Sequence, residues 1–188
     1  MPRSNRERTD ATRTALLDAA RALFVEKGYS ETATPEIVAA AKVTRGALYH
    51  HFEDKKALFA AVVEREAAEV GAAIEAKSAD ATSARDALLQ GASAYFDAMA
   101  VPGRTKLLLR EAPALLADEP AEASLRAGLS ELVAGSKLEP LLDPLTVLIS
   151  AAFDRAAIAV DAGGSREGYE AAIAALLDGL GHADPLRR

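Results

Sequence analysis

Alanine narrows the possible folds more than any other feature: 44 of the 188 residues are alanine. It is the strongest helix former because a methyl group loses no rotamer freedom in a helix. The residues that favour strands are sparse, aromatics making up only 5% of the chain. No segment shows sustained apolar/polar alternation bounded by turn residues. The pattern predicts an all-α protein of about nine helices with no repeat at fixed spacing.

Helix boundaries follow from capping residues and breakers. Leu16, Ala20, Leu23 and Phe24 make one apolar face of a first helix, with Thr9 and Asp10 as cap candidates and Gly28 as a left-handed terminator. Thr34-Pro35-Glu36 predicts a short second helix reaching Lys42, with Thr34 as its N-cap. A third is expected from Thr44 to Phe52. A long fourth runs from Asp54 to Lys77, with Leu58, Phe59, Val62, Val63, Val70 and Ile74 on one face. Residues 78–83 read as a linker, and Ser83 with Asp86 has capping-box spacing. Further helices are expected over 83–100, 104–111 (before Pro113), 121–135 (opened by Pro120), 143–163 and 165–181.

Several classes of function are excluded at this level. Without cysteine there is no disulfide scaffold, thiolate metal site or thiol nucleophile. The longest uncharged stretch is about ten residues, half of what a membrane span needs. Met1 to Asp10 is polar and charged, unlike a secretory signal, so a cytoplasmic protein is expected. A di-iron bundle needs acidic residues three positions before its histidines. Those positions before His50, His51 and His182 hold Ala47, Leu48 and Gly179. No Gly-x-Ser-x-Gly elbow occurs. Adjacent histidines on a helix diverge, so His50 and His51 are not a chelating pair. No enzyme, metal or cofactor is expected.

Residues 34–58 carry the functional signal. They form two short helices joined by the turn Lys42-Val43-Thr44. Ile37, Val38 and Ala41 pack on Val43, Leu48 and Phe52, which leaves Arg45, Gly46, Ala47, Tyr49, His50 and His51 on the opposite face. This is the layout of a helix-turn-helix whose second helix enters the major groove. Arg45 offers a fork for guanine O6 and N7. Gly46 and Ala47 are small enough for close approach. Tyr49, His50 and His51 can donate to bases or phosphates. Thr34, Pro35 and Thr44 lie at helix N-termini, which suit phosphate, and Lys42 and Lys55 add positive charge.

These residues resemble the DNA-binding domain of the tetracycline-repressor (TetR) family of bacterial transcription regulators. The resemblance spans residues 11–58 and rests on Thr34, Ile37-Val38, Ala41-Lys42-Val43-Thr44, Gly46, Leu48-Tyr49, His51-Phe52, Lys55 and Leu58. The run Leu-Tyr-His-His-Phe-x-x-Lys-x-x-Leu is its most specific part. Two positions depart from the family pattern. Lys42 stands where glycine is usual, and Val38 where alanine is usual.

The resemblance implies a three-helix DNA-binding domain over residues 1–56. The long fourth helix would join it to a helical bundle for ligand binding and dimerisation over 57–188. Candidate pocket residues are Tyr95, Phe96, Met99, Leu108, Arg110 and Phe153, with Asp97 and Asp154 as polar contacts. The implied homodimer face uses Ala152, Ala156 and Ala159 on the penultimate helix, and Ala172, Ala175, Leu176, Gly179 and Leu180 on the last. The implied function is a dimeric repressor released from a palindromic double-stranded DNA operator by a small-molecule effector. Alternatives are an activator or protein-regulated factor of the same family, or a helical assembly module with no DNA role.

The net charge of −6 is an average over two unlike regions. Residues 1–56 hold 10 basic and 8 acidic side chains, a net of +2; the remainder holds 12 and 20, a net of −8. Arg3, Arg6 and Arg8 are expected to form an arm able to reach a neighbouring groove or phosphate. The acidic body would keep the rest of the chain off DNA.

Overall fold

In the computed structural model, which describes residues 5–115 and 123–182, the first helix starts ahead of its expected caps. Helix α1 spans Asn5–Lys27, so Thr9 and Asp10 lie inside it. Polar residues permit a helix even where they do not drive one, and Glu7 in the first turn suits the positive end of the dipole. Arg6 and Arg8 of the expected arm are therefore helical, and Arg3 lies outside the described residues. Gly28 ends α1 at φ 87°, as its position predicts.

After α1 come α2 (Thr34–Ala40), α3 (Arg45–His51), α4 (Lys55–Ser78) and α5 (Ala84–Met99). A π-helical turn at Lys106–Glu111 leads into α6 (Ala112–Leu115). Then follow α7 (Ala123–Leu132), a 3₁₀ turn at Glu139–Leu141, α8 (Leu142–Asp161) and α9 (Arg166–Gly181). No strand occurs among the described residues, and the fold is all-α. Pro113 does not end the sixth helical segment as expected; the helix continues through it to Leu115. Pro120 lies outside the described residues. Ser83 and Ser165 cap α5 and α9 as expected, accepting from the amides of Asp86 and Gly168. Asp86 reaches the Thr82 amide at 3.2 Å, one residue short of a capping box.

The chain divides into two compact units. The first holds residues 1–66 and 106–117, and the second holds 67–105 and 118–188. The first unit thus extends past residue 56 and takes in a segment that returns much later in the sequence. Its core joins Leu16, Leu17, Ala20 and Phe24 of α1 to Ile37, Leu48, Phe52, Leu58, Phe59 and Val62, with Leu107 and Ala112 from the returning segment. Phe59 meets Phe24 edge-on at 5.2 Å, a geometry that aromatic quadrupoles favour. Arg21 of α1 forks onto Glu66 of α4, at 2.7 and 3.2 Å. The Glu66 carboxylate is only 2% exposed.

In the second unit α5 packs on α7, α8 and α9. Leu88, Ala92, Phe96, Leu129, Val133, Ile149, Ala157, Ile173 and Leu177 are buried. Gly128 is required here: a Cβ on it would fall 2.7 Å from Leu88 Cδ2, so its hydrogen lets α7 approach α5.

Candidate nucleic-acid interface

Three backbone devices set α2 and α3 in place. The first corrects an expectation: Ala33, not Thr34, is the N-cap of α2, and Thr34 and Pro35 are its first two residues. Glu36 satisfies the Ala33 amide at 3.0 Å and also takes the Lys27 ammonium from the end of α1. The Lys27 hydrogen bond, then that from Ala33, holds the Glu36 carboxyl below its ordinary range.

The second device is a Schellman cap at the end of α2. The Val43 amide donates to the Val38 carbonyl and the Lys42 amide to the Ala39 carbonyl, both at 3.1 Å. That motif needs a left-handed residue. Lys42 supplies it at φ 55°, the one positive-φ residue other than glycine among those described. The turn keeps the geometry glycine would adopt, and the lysine bears a strain of about 1 kcal/mol. Third, the Thr44 hydroxyl oxygen caps α3 by accepting the Ala47 amide at 3.1 Å.

The outcome is a short helix with one face inside and one outside. Leu48 is fully buried and Phe52 nearly so. Arg45, Gly46, Tyr49 and His50 are exposed, as are Pro35, Lys42 and Thr44 beside them; Thr34, Ala47 and His51 are half-buried. The Arg45 guanidinium lies 5.5 Å from the Tyr49 ring centroid, one helical turn away. This stacking limits the directions in which the fork can point. His50 and His51 meet edge-on at 5.4 Å, and the His51 ring leans on Phe52. Burial first, then the charges of His50 and Arg13, lower the His51 pKa against the pull of Asp10. These influences favour the neutral ring, which offers one N–H donor. Among the described residues no cluster of three His, Asp or Glu side chains could hold a metal.

Gly46 has no role inside the molecule. A Cβ there would meet only Thr44 Oγ1, at an ordinary 3.9 Å. Glycine within a helix costs about 0.5–1 kcal/mol relative to alanine. Gly46→Ala is therefore expected to raise denaturant stability by up to about 1 kcal/mol while weakening duplex binding in a titration. Unchanged binding would mean that nothing approaches this position closely.

Lys55 also has partners inside its own unit. Its ammonium donates to the carbonyls of Tyr29 (2.8 Å) and Thr32 (3.0 Å) and sits 4.3 Å from the Tyr29 ring centroid. It binds the α1–α2 loop to α4, a role that the sequence did not signal. Spacing shows that a cation opens α4, but not that distant carbonyls converge on it.

Sequence reading also missed Arg13, Lys106 and Glu111. Arg13 on α1 lies over the Phe52 ring at 5.5 Å, beside the end of α3. Lys106 donates to the Val25 carbonyl at 2.8 Å, and Glu111 accepts the Tyr29 amide at 3.0 Å. Together they close the end of α1 from 81 and 82 residues away, a separation at which spacing carries no signal.

In the second unit, Tyr95, Phe96 and Phe153 form an aromatic trio with centroids 5.6–6.2 Å apart. Phe96 and Met99 line a cavity of about 220 Å³ with Ala100, Ala157, Val160, Asp161 and Arg166. Leu108 and Arg110, expected to join them, belong instead to the first unit. Asp154 accepts the Tyr95 hydroxyl at 2.7 Å. Asp97 takes a guanidinium hydrogen bond from Arg166 at 2.7 Å, which pulls its carboxyl below the usual range.

The expected dimer residues divide unevenly. Ala172, Ala175, Leu176 and Gly179 of α9 are exposed, and Leu180 is half-exposed. On α8, Ala156 is only 3% exposed and Ala152 and Ala159 are half-buried. The open face of α8 carries Val147, Leu148 and Ala151 instead. Small residues mark where helices approach closely, and on α8 that approach is largely within the unit. Leu145, Leu148, Ile149, Ala152, Leu176 and Leu180 line an apolar groove of about 200 Å³.

Comparison with known proteins adds sequence relationship to this geometry. A sequence model of the bacterial regulatory proteins of the tetR family matches residues 16–62. The chain is 40% identical over 91 residues to the TetC protein of transposon Tn10 from Escherichia coli, covering 48% of this chain and 46% of that protein. It is 42% identical over 71 residues to the transcriptional regulator AcrR of Shigella flexneri, covering 38% and 33% respectively. The matches thus span less than half the length of either relative. A TetR-family regulator from Pectobacterium atrosepticum, known by crystallography, superposes with a TM-score of 0.69 and 30% identity, covering 98% of this chain and 99% of that one.

Proposed function

The chain belongs to the tetR family of bacterial regulatory proteins, and on that premise we propose that it is a dimeric, sequence-specific repressor released from a palindromic operator by a small-molecule effector. The family is one of transcriptional regulators. No helix among the described residues is long and apolar enough to cross a membrane.

The observation that carries the reading is the outer face of α3. Its exposed residues, Arg45, Gly46, Tyr49 (44% exposed) and His50, lie outside the core cluster. A short helix with a bare face of donors and small residues fits the major groove, where arginine can bind guanine O6 and N7 together. The Thr34 and Thr44 hydroxyls at the helix starts are of the kind that contact phosphate. Two such heads about 34–36 Å apart would meet successive major-groove faces of a two-fold operator. The apolar surface of α8 and α9 supports pairing of two chains. The cavity beside Phe96 and Met99 supports an effector with a substantial apolar part. The effector would act by preferring a conformation whose heads no longer match the operator spacing.

Duplexes enriched from a random-sequence pool by the full chain provide the test. Arg45→Ala is expected to relax preference at one base pair per half-site by about 1–3 kcal/mol, with little loss on unselected DNA. Unaltered preference would remove Arg45, and with it this orientation of α3, from the reading.

A further inference from the structure

We propose that Lys42 is a phosphate clamp whose ammonium anchors the turn between α2 and α3 to the DNA backbone, retained at the expense of fold stability. The inference rests on the DNA-binding reading above and assigns a role to the residue that departs from the family pattern.

Two observations meet at this residue. The Schellman hydrogen bonds from Val43 and Lys42 require a left-handed residue, and Lys42 adopts φ 55°. Glycine would do so without strain. No hydrogen bond or ion pair inside the described residues compensates. Lys42 is exposed, and among the described residues its ammonium makes no hydrogen bond or ion pair. Of the other lysines of the unit, Lys27 is engaged with Glu36, Lys55 with two carbonyls and Lys106 with the Val25 carbonyl, whereas Lys56 is exposed like Lys42 but lies in α4 without backbone strain. A strained residue with a free charge, two residues before the cap of α3, has its use outside the molecule. The chemistry that accepts a flexible ammonium without sequence preference is a phosphate oxygen. A competing account is internal: a cation near the C-terminal end of α2 interacts favourably with the helix dipole. The two accounts predict different measurements.

The experiment uses the full chain, a duplex enriched from a random-sequence pool, and Lys42→Gly, Lys42→Ala and Lys42→Arg. Lys42→Gly is expected to raise Tm by about 2–4 °C, since it relieves the backbone. Its binding should weaken roughly eightfold per head at 0.1 M salt, with the log K against log salt slope shallower by about 0.9 per head. Lys42→Ala keeps the strain, so it should show the same binding loss without the gain in Tm. Lys42→Arg should bind like the parent. The proposal is overturned if Lys42→Gly and Lys42→Ala bind with the parental affinity and slope. It is also overturned if Lys42→Ala lowers Tm at low salt only and leaves binding intact, which is the dipole result. Arg45→Ala in parallel separates the two levels. If it alters base preference while the Lys42 variants bind normally, the clamp fails and the DNA reading stands. A pool that yields no bound duplex overturns both.

Discussion

Arg21→Ala is expected to lower the free energy of unfolding by about 3–5 kcal/mol, the cost typical of removing a charged partner from a buried charge. The Glu66 carboxylate is 2% exposed and is held by both forks of the Arg21 guanidinium. Alanine at position 21 leaves that carboxylate inside the first unit, where water cannot replace the lost donors. The arginine end is 24% exposed, so Glu66→Ala should cost less, because the guanidinium can reach solvent. Urea melts followed by far-ultraviolet circular dichroism measure both. Arg21→Met combined with Glu66→Leu should recover most of the stability, because an apolar pair of similar volume avoids the desolvation penalty altogether. A single Arg21→Ala variant within about 1 kcal/mol of the parent would show that the pair contributes little.

Leu148→Glu is expected to convert the proposed dimer to a monomer, and operator affinity should fall by about 10²- to 10⁴-fold. Leu148 and Leu176 are 67% and 56% exposed, and both border the groove between α8 and α9. Apolar area of that extent on one face fits a two-fold interface better than open solvent. Because Leu148 is exposed in the single chain, a charge there should leave helix content unchanged. Sedimentation velocity reports the assembly state, and a titration with the enriched duplex reports binding. One head alone is weakly basic by composition, so losing the second removes the gain in effective concentration that makes binding useful. A variant that remains dimeric would relocate the interface.

The sequence was most readable where the information is local. The all-α class followed from alanine. Gly28, Ser83 and Ser165 announced helix ends, because a cap acts on the backbone groups of its own turn. The split of α3 into a Leu48–Phe52 face and an Arg45–Tyr49 face followed from helical period. It was least readable where distant segments meet. Lys55 carried the right charge at the right place, yet two loop carbonyls 26 and 23 residues upstream bind it. Arg21 with Glu66, and Val25 with Lys106, are pairings that no spacing rule encodes. Ala156 illustrates the same limit: composition marks it as small, but only packing shows that it faces inward.

Local propensity and periodicity therefore determine the helices of this protein and the polar face of α3, since both depend on contacts within about four residues. The tertiary structure decides which charges remain available. Carboxylates hold Lys27 and Arg21 and converging carbonyls hold Lys55 and Lys106, whereas Lys42 and Arg45 stay in solvent on the outer side of the helix-turn-helix. A lysine's role is set by the groups that fold around its ammonium, and for this chain many of those groups lie far away in sequence.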